Sequence, residues 1–286
     1  MEDPTYKSYK ELYDVEIPDL NYFLRQIDCR EGCPVHTDGR GYMLALHAGD
    51  LLEGYKIARG PNPFASICGM ICGAPCEIAC RRDRVDKTLT IRAQKRFVDE
   101  WFGLSKEAHI RSLEYSYARG STKPAPNHLK IACIGAGVAS LTCAHDVDVM
   151  ETMPLPGGML VNGVPAYRPK SRVARNECAA IEYLGAKMHY NLKVGRDCTM
   201  QDLLDRYDAV FIGVGLWKSR PLPIPGADQP DIIRGIDYLR VRCVGESWEI
   251  GKNLIVIGGG NVAFDVARTA IRSGAKRATL LCLQPR

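Results

Sequence analysis

The stretch "FASICGMICGAPCEIACRR" places Cys68, Cys72, Cys76 and Cys80 at every fourth residue. Residues four apart share a helix face, so Cys68 pairs with Cys72 and Cys76 with Cys80. Between the pairs stands Gly73-Ala74-Pro75, and a proline has no N–H to continue a helix. The block therefore reads as two helical half-sites. A third pair, Cys29 and Cys33, stands upstream in "IDCREGCPVH".

The chain has 12 cysteines in 286 residues, and its first residues show neither a basic start nor an apolar run of a secretion signal. Thiols stay reduced in the cytosol, so metal or cluster ligation is a better account than disulfides. Four-cysteine zinc sites commonly leave two or four residues between paired ligands, whereas every gap in the block is three. The other six cysteines, Cys133, Cys143, Cys178, Cys198, Cys243 and Cys282, lie among apolar neighbours and read as small core residues.

A net charge of +5, from 38 basic and 33 acidic residues spread along the chain, gives no electrostatic case for nucleic acid. Its one dense patch, "RRDR" at Arg81 to Arg84, reads as a solvated helix face, as compensation for a negative cluster, or as a dock for an acidic partner. No run reaches the roughly 18 apolar residues of a membrane span. A soluble, cytoplasmic protein is expected.

Up to about Leu104 the pattern is helical, with apolar residues three and four apart in "YMLALHAGDLLEGYKIA" and "LTIRAQKRFVDEWFG". The segment "SYARGSTKPAPNHL" punctuates the chain as a linker. Then the order becomes strand, glycine turn, helix, first in "LKIACIGAGVASLTCAHDV" and again in "NLIVIGGGNVAFDVARTAIRSGAKRATLLCL". The segments "YDAVFIGVG" and "IEYLGAKMHYNLKVG" between them are expected to add strands. A pyrophosphate at a helix N-terminus needs a tight turn, close backbone approach and free N–H groups, which glycines supply.

In the first unit these are Gly135 and Gly137, with Ser140 where a third glycine or alanine usually stands. Glu151 is the candidate acid for a ribose hydroxyl, but it comes 16 positions after Gly135, against roughly 20 in an ordinary unit. The first helix or its return turn should be short. The second unit is more regular, with Gly258, Gly260, Asn261, Val262 and Ala263 opening its helix. Two dinucleotide units in one chain suit a flavin that must meet a nicotinamide.

Eight segments in order, "CREGCPV", "NPFASICGMICGAPCEIACRR", "TIRAQKRFVDEW", "GAGVASLTCAHD", "LPGGML", "GVPAYR", "VFIGVGLWKSRPLPIPG" and "IGGGNVAFDVARTA", carry a resemblance. They resemble the NAD(P)H-dependent oxidoreductases similar to the glutamate synthase small subunit. That family includes the large subunit of NADH-dependent ferredoxin:NADP oxidoreductase and the N-terminal part of dihydropyrimidine dehydrogenase. The resemblance implies an α-helical N-terminal iron-sulfur domain, an α/β Rossmann-like FAD domain, and an inserted, incomplete Rossmann-like NAD(P) domain. The expected boundaries are 1–108 for the [4Fe-4S] domain, 109–128 for a linker, 129–245 for the FAD domain and 246–286 for the start of the NAD(P) domain.

By the same resemblance Gly157, Gly158 and Met159 lie along the flavin, and Gly213 and Gly215 come close to it. Cys33, Cys72 and Cys76 match one cluster, Cys29 and Cys80 half of another, and Cys68 is additional, so one [4Fe-4S] cluster or two are expected. The position of an unusual glutamine ligand in some relatives is Lys95, and an ammonium cannot ligate iron. Near the nicotinamide ribose position the text reads Leu283 and Gln284, with Arg286 as the one pointer to NADP over NAD. Relatives continue past "LLCLQPR", so a piece of a longer subunit is expected.

The expected function is electron transfer between NAD(P)(H), FAD and the clusters, to or from other redox subunits of a hetero-oligomeric complex. Ferredoxin-like, hydrogenase-like, formate-oxidising and glutamate synthase large subunits are the expected partners, and electron bifurcation at a flavin is one form of the reading. The alternatives are a glutamate synthase small subunit and a non-catalytic relay or scaffold with decayed nucleotide sites. No catalytic side chain is named, because the cofactors carry the chemistry.

Overall fold

The computed structural model describes residues 18–102, 129–143, 147–168 and 171–283. The expected linker over 109–128, with Gln284 and Arg286, lies outside the described residues. The N-terminal part is helical throughout: α1 (Leu20–Arg25), α2 (Asp28–Glu31), α3 (Gly39–His47), α4 (Leu51–Arg59), α5 (Ala65–Ile71), α6 (Pro75–Ile78), a 3₁₀ turn (Arg81–Arg84) and α7 (Ile91–Phe102). Asp38 and Asp50 cap α3 and α4, each side chain accepting a backbone N–H three residues on. Tyr42 is buried between these helices and donates its hydroxyl hydrogen to the carbonyl of Ile91, which ties α3 to α7.

The second part begins with β1 (Ile131–Ile134), α8 (Val138–Cys143), β2 (Asp148–Met150), α9 (Met159–Asn162), α10 (Ser171–Tyr183), β3 (Lys187–His189), α11 (Met200–Leu204) and β4 (Ala209–Ile212). Its four strands form a parallel sheet in the order β3-β2-β1-β4, with Ala132 opposite Asp148 and Val210. Among the described residues α8 covers Val138–Cys143 and β2 has 3 residues. In "IEYLGAKMHYNLKVG" the strand is confined to Lys187–His189, because Ile181–Tyr183 still belongs to α10 and packs its apolar face on the core.

The third part is α12 (Gly235–Cys243), β5 (Asn253–Ile257), α13 (Asn261–Arg272) and β6 (Arg277–Leu281), with β5 and β6 forming a two-stranded parallel sheet. The scattered cysteines divide three ways. Cys133 and Cys178 are core residues, Cys198 and Cys243 are half-buried, and Cys143 and Cys282 are exposed, against the expectation of six core residues. Cys143 ends α8 and Cys282 follows β6.

Phe64 and Ile67 of the cysteine block pack across onto the second part. Phe64 joins Cys133, Leu141, Val149 and Ile181, and Ile67 joins Val161, Val173 and Ala174. Burial of two such side chains stabilises the join by ~1.5–3 kcal/mol each. Beside them the Arg59 and Glu177 side chains, each with no exposed surface, form an ion pair of 2.8 Å across the two parts. Glu177 also accepts the N–H groups of Ser66 (2.9 Å) and Ile67 (3.3 Å). No helix among the described residues is long and apolar enough to cross a membrane.

Candidate cofactor sites

Backbone contacts build the first glycine site. Gly135 N–H donates to Met150 carbonyl (2.7 Å), Gly157 N–H to Ala136 carbonyl (2.7 Å) and Gly213 N–H to Ile134 carbonyl (2.9 Å). Glu151, buried at the end of β2, accepts the N–H of Ala136 (2.5 Å) and of Met153 (2.7 Å). One carboxylate thus ties the glycine turn to the strand beside it. A Cβ on Gly158 would stand 2.9 Å from the Gly137 Cα, and φ there is +52°, so this close approach requires glycine.

The turn opens on a cavity of about 810 Å³. Gly135, Gly137, Glu151, Gly158, Met159, Gly213 and Gly215 all line it. Gly157 supports the wall through its bond to Ala136. Ser140 stands apart: it is fully buried, and a Cβ at Gly213 would run into its hydroxyl oxygen. As the third residue of α8 it packs against the position that follows β4 and is not among the residues that line the cavity. Trp217, Lys193 and Arg240 complete the wall and were not foreseen. Trp217 lies two residues past the glycines of β4; for Arg240, on α12, no local signal existed.

The donor set fits FAD. The size suits a large ligand, the glycine floor admits close backbone approach, and Lys193 and Arg240 supply positive charge for a pyrophosphate. The second glycine set is placed elsewhere. Gly258 and Gly260 turn from β5 into α13, with Gly260 at the N-cap and Asn261, Val262 and Ala263 in the first turn. Ala263 packs against Val256, while Val262 is exposed.

The six thiols gather around α5 and α7. Cys68 lies in α5, Cys72 caps its C-terminus, Ala74 takes a left-handed turn (φ 54°) and Pro75 opens α6 with Cys76. The break at "GAP" is as read, but Cys80 is not helical: it stands in extended backbone before the 3₁₀ turn. Arg81 reaches back to Asp28 in two hydrogen bonds (2.7 and 2.9 Å), joining the chain beside Cys80 to the chain beside Cys29. "RRDR" is thus a 3₁₀ turn rather than a helix face, and two of its arginines are paired, Arg82 with Asp86.

Charge repulsion maps which thiols are neighbours. Burial pushes the Cys76 thiol up to about 11, with Cys33, Glu77 and Cys72 adding to it. Burial and then Cys80 raise Cys29. For Cys68 burial again raises the value, with Asn62 and Lys95 opposing. Cys33 goes the other way: burial raises it, but N–H groups of Thr37 and Val35, the Thr37 hydroxyl and Lys95 outweigh burial. Cys33 and Cys72 thus act on Cys76, Cys72 on Cys68 and Cys80 on Cys29, while Cys29 and Cys76 both pack against the cluster of Tyr42, Ala58 and Ile91. Among the described residues no three His, Cys, Asp or Glu side chains converge on a single-ion site. Crowded thiols that repel as thiolates suit an iron-sulfur core, which is positive at its iron atoms and holds its ligands apart. Lys95 is buried and acts on both Cys33 and Cys68.

A family described as pyridine nucleotide-disulphide oxidoreductase matches residues 129–286. The chain belongs to this family. Residues 23–107 of this oxidoreductase match a second description, dihydropyrimidine dehydrogenase domain II, 4Fe-4S cluster. The chain is 32% identical over 265 residues to the NADPH-Fe(3+) oxidoreductase subunit beta of Geobacter sulfurreducens, covering 88% of this chain and 38% of the relative. To the NADP(+)-dependent formate dehydrogenase subunit beta of Moorella thermoacetica it is 36% identical, covering 88% of this chain and 39% of the relative. The glutamate synthase [NADPH] small chain of Escherichia coli is 27% identical over 88% of this chain and 55% of its own length. The oxidoreductase chain therefore spans well under two thirds of the curated relatives it matches. Its cofactor set is iron-sulfur, FAD and a pyridine nucleotide.

Proposed function

We propose that the chain is the electron-transfer part of an NADP(H)-dependent flavin and iron-sulfur oxidoreductase subunit that exchanges electrons with partner redox subunits. The observation that carries the reading is the contact between the two candidate sites. Leu160 lines the flavin cavity, and the same side chain packs in the cluster formed by Ile67, Val161, Val173, Met70 and Ile71. Met70 and Ile71 stand between Cys68 and Cys72 on the chain. Leu160 thus belongs both to the cavity wall and to an apolar cluster that includes residues of the thiol helix. When bound, the flavin would accept a pair of electrons from the nicotinamide and release them singly to a cluster.

This chain's residues hold and orient. Gly135, Gly137, Gly158, Gly213 and Gly215 make the floor, Glu151 fixes the turn, and Lys193 with Arg240, itself paired with Asp237, would supply positive charge to an anionic ligand. Cys33, Cys72 and Cys76 with Cys68 are the proposed ligands of one [4Fe-4S] cluster, and Cys29 and Cys80 contribute to a second site. Gly258, Gly260, Asn261, Val262 and Ala263 are the proposed nicotinamide nucleotide turn. The domain limits 1–108, 129–245 and 246–286, and the insertion of an incomplete NAD(P) domain, belong to the same proposal. Relatives named as beta subunits of an Fe(3+) oxidoreductase and a formate dehydrogenase support a multisubunit setting, and bifurcation at the flavin is its finer form.

The test is anaerobic purification of the full-length protein, with iron, sulfide and flavin assays and titration with NADPH. Bound flavin bleached by NADPH, followed by bleaching of the cluster absorbance, is the expected result. A colourless protein lacking both cofactors would overturn the reading.

A further inference from the structure

The clearest unassigned feature joins the flavin part to the second glycine unit. The chain leaves the cavity floor at Gly158, forms α9 with Met159 in the cavity wall, and within ten residues reaches Tyr167 and Arg168. There it grips α13. The Tyr167 hydroxyl donates to Asp265 Oδ1 (2.8 Å), and Arg168 Nε donates to the same oxygen (2.6 Å). Two turns further along α13, the Arg272 guanidinium lies 4.2 Å from the Tyr167 ring centroid. Tyr167 therefore lies along the helix, bonded at its hydroxyl and covered on its face. On the way the arm also meets α12, where the Cys243 thiol faces the carbonyl of Val164 at 3.6 Å.

Asp265 is 7% exposed and lies one turn beyond the N-cap Gly260 of the second glycine turn. A single short arm thus runs from the flavin floor to the helix that follows the candidate nicotinamide turn. Its polar end is charge-assisted and partly shielded from water, with Asp265 buried and Arg168 part-exposed, which makes it directional as well as adhesive. Val262 and Phe264, on either side of Ala263, are about half exposed. α12, whose Tyr238 and Leu239 pack with Ala270 of α13 and whose Arg240 lines the cavity, makes an apolar join beside the arm, and the arm adds a polar one.

We infer that Asp265, through Tyr167 and Arg168, is a positioning residue that holds the second nucleotide turn in register with the flavin floor. The inference rests on the proposed function, in which a nicotinamide carried by that turn must meet a flavin on that floor. Transfer between two bound groups is sensitive to their relative placement, and an error of about 1 Å can cost about a hundredfold. Asp265 touches neither proposed ligand, so its removal should change the rate at which the two meet and leave their binding intact.

The test uses full-length holoprotein and three variants, Asp265→Ala, Asp265→Asn and Tyr167→Phe. Single-turnover reduction of bound FAD by NADPH is followed over a range of NADPH concentrations, with flavin content and amide hydrogen exchange measured on the same samples. In Asp265→Ala the limiting rate should fall by about tenfold or more. Flavin content and the NADPH concentration at half-saturation should stay near wild type, and exchange should rise in 261–272. Asp265→Asn keeps an acceptor for the Tyr167 hydroxyl and should recover part of the rate. Tyr167→Phe removes one bond without burying or freeing a charge, so it tests the arm should Asp265→Ala fail to fold.

A wild-type limiting rate in folded Asp265→Ala or Tyr167→Phe overturns the inference, as does a loss confined to half-saturation, which would make Asp265 a binding residue. Unchanged exchange in 261–272 also overturns it. Wild-type protein without reducible flavin would instead refute the proposed function, and the exchange measurement would still decide the arm.

Discussion

The two strand-glycine-helix units make opposite impressions in sequence and in space. The first has the irregular motif, with Ser140 in a glycine position and a helix of 6 described residues. It nevertheless has a four-stranded sheet, a cavity and a buttress from the helical part. The second has the regular motif and a 12-residue helix, yet its two strands expose Ile255, Ile257 and Leu281. Motif quality reports the local turn; what encloses a ligand is the set of neighbours brought from far along the chain.

The largest effect expected from this contrast is at the floor. Gly158→Val puts a branched side chain into a left-handed position already 2.9 Å from Gly137 at Cβ, and flavin content measured by absorbance should fall more than about tenfold. In the second unit Gly260 has open space around its Cβ position, so Gly260→Ala should leave flavin content unchanged. Equal loss in both variants would break the comparison.

Next comes the buttress. Glu177→Ala strips the Arg59 guanidinium of its buried partner and should cost ~3–5 kcal/mol in chemical unfolding followed by tryptophan fluorescence. A change below ~1 kcal/mol would mean that the helical part does not support the first unit. Disruption of the arm at Asp265 should do far less to stability, because its partners Tyr167 and Arg168 can reach water.

A smaller effect separates the two joins by pH. Asp99, buried on α7 with neither carboxylate oxygen hydrogen-bonded among the described residues, is pushed up to about 7 by burial, with Lys95 and Arg59 opposing and Glu177 adding. An acid with a raised folded-state value binds more protons folded than unfolded between its ordinary value and about 7. Stability should therefore fall as pH rises through that window, by at most ~1.4 kcal/mol per pH unit. Asp99→Asn should flatten the slope between pH 4.5 and 6.5, about the range in which the difference is largest. An unchanged slope in urea unfolding would assign the pH dependence to another group.

Much of this was legible in the chain. The break at Pro75, the pairing of two α/β units and the short return to Glu151 follow from residue type and spacing, while the grouping of glycines from three segments came through the family resemblance. The thiol block was legible as a shared site but not as geometry. Cys80 is held by Arg81 and Asp28, 53 positions apart in sequence, and no periodicity encodes such a pair. The burial of Lys95 beside Cys33 and Cys68 was equally hidden, because a charged residue at helical spacing reads as a solvated face.

By itself, then, the sequence determined which residues could turn tightly, ligate or be buried, because those properties belong to single side chains and their near neighbours. Only the tertiary structure decided that Ser140 packs against the position after β4 while Arg240 lines the cavity, that Phe64 and Ile67 serve the flavin part, and that Asp265 closes on Tyr167. Each is a contact between segments far apart in the chain, selected by desolvation and shape when the layers pack.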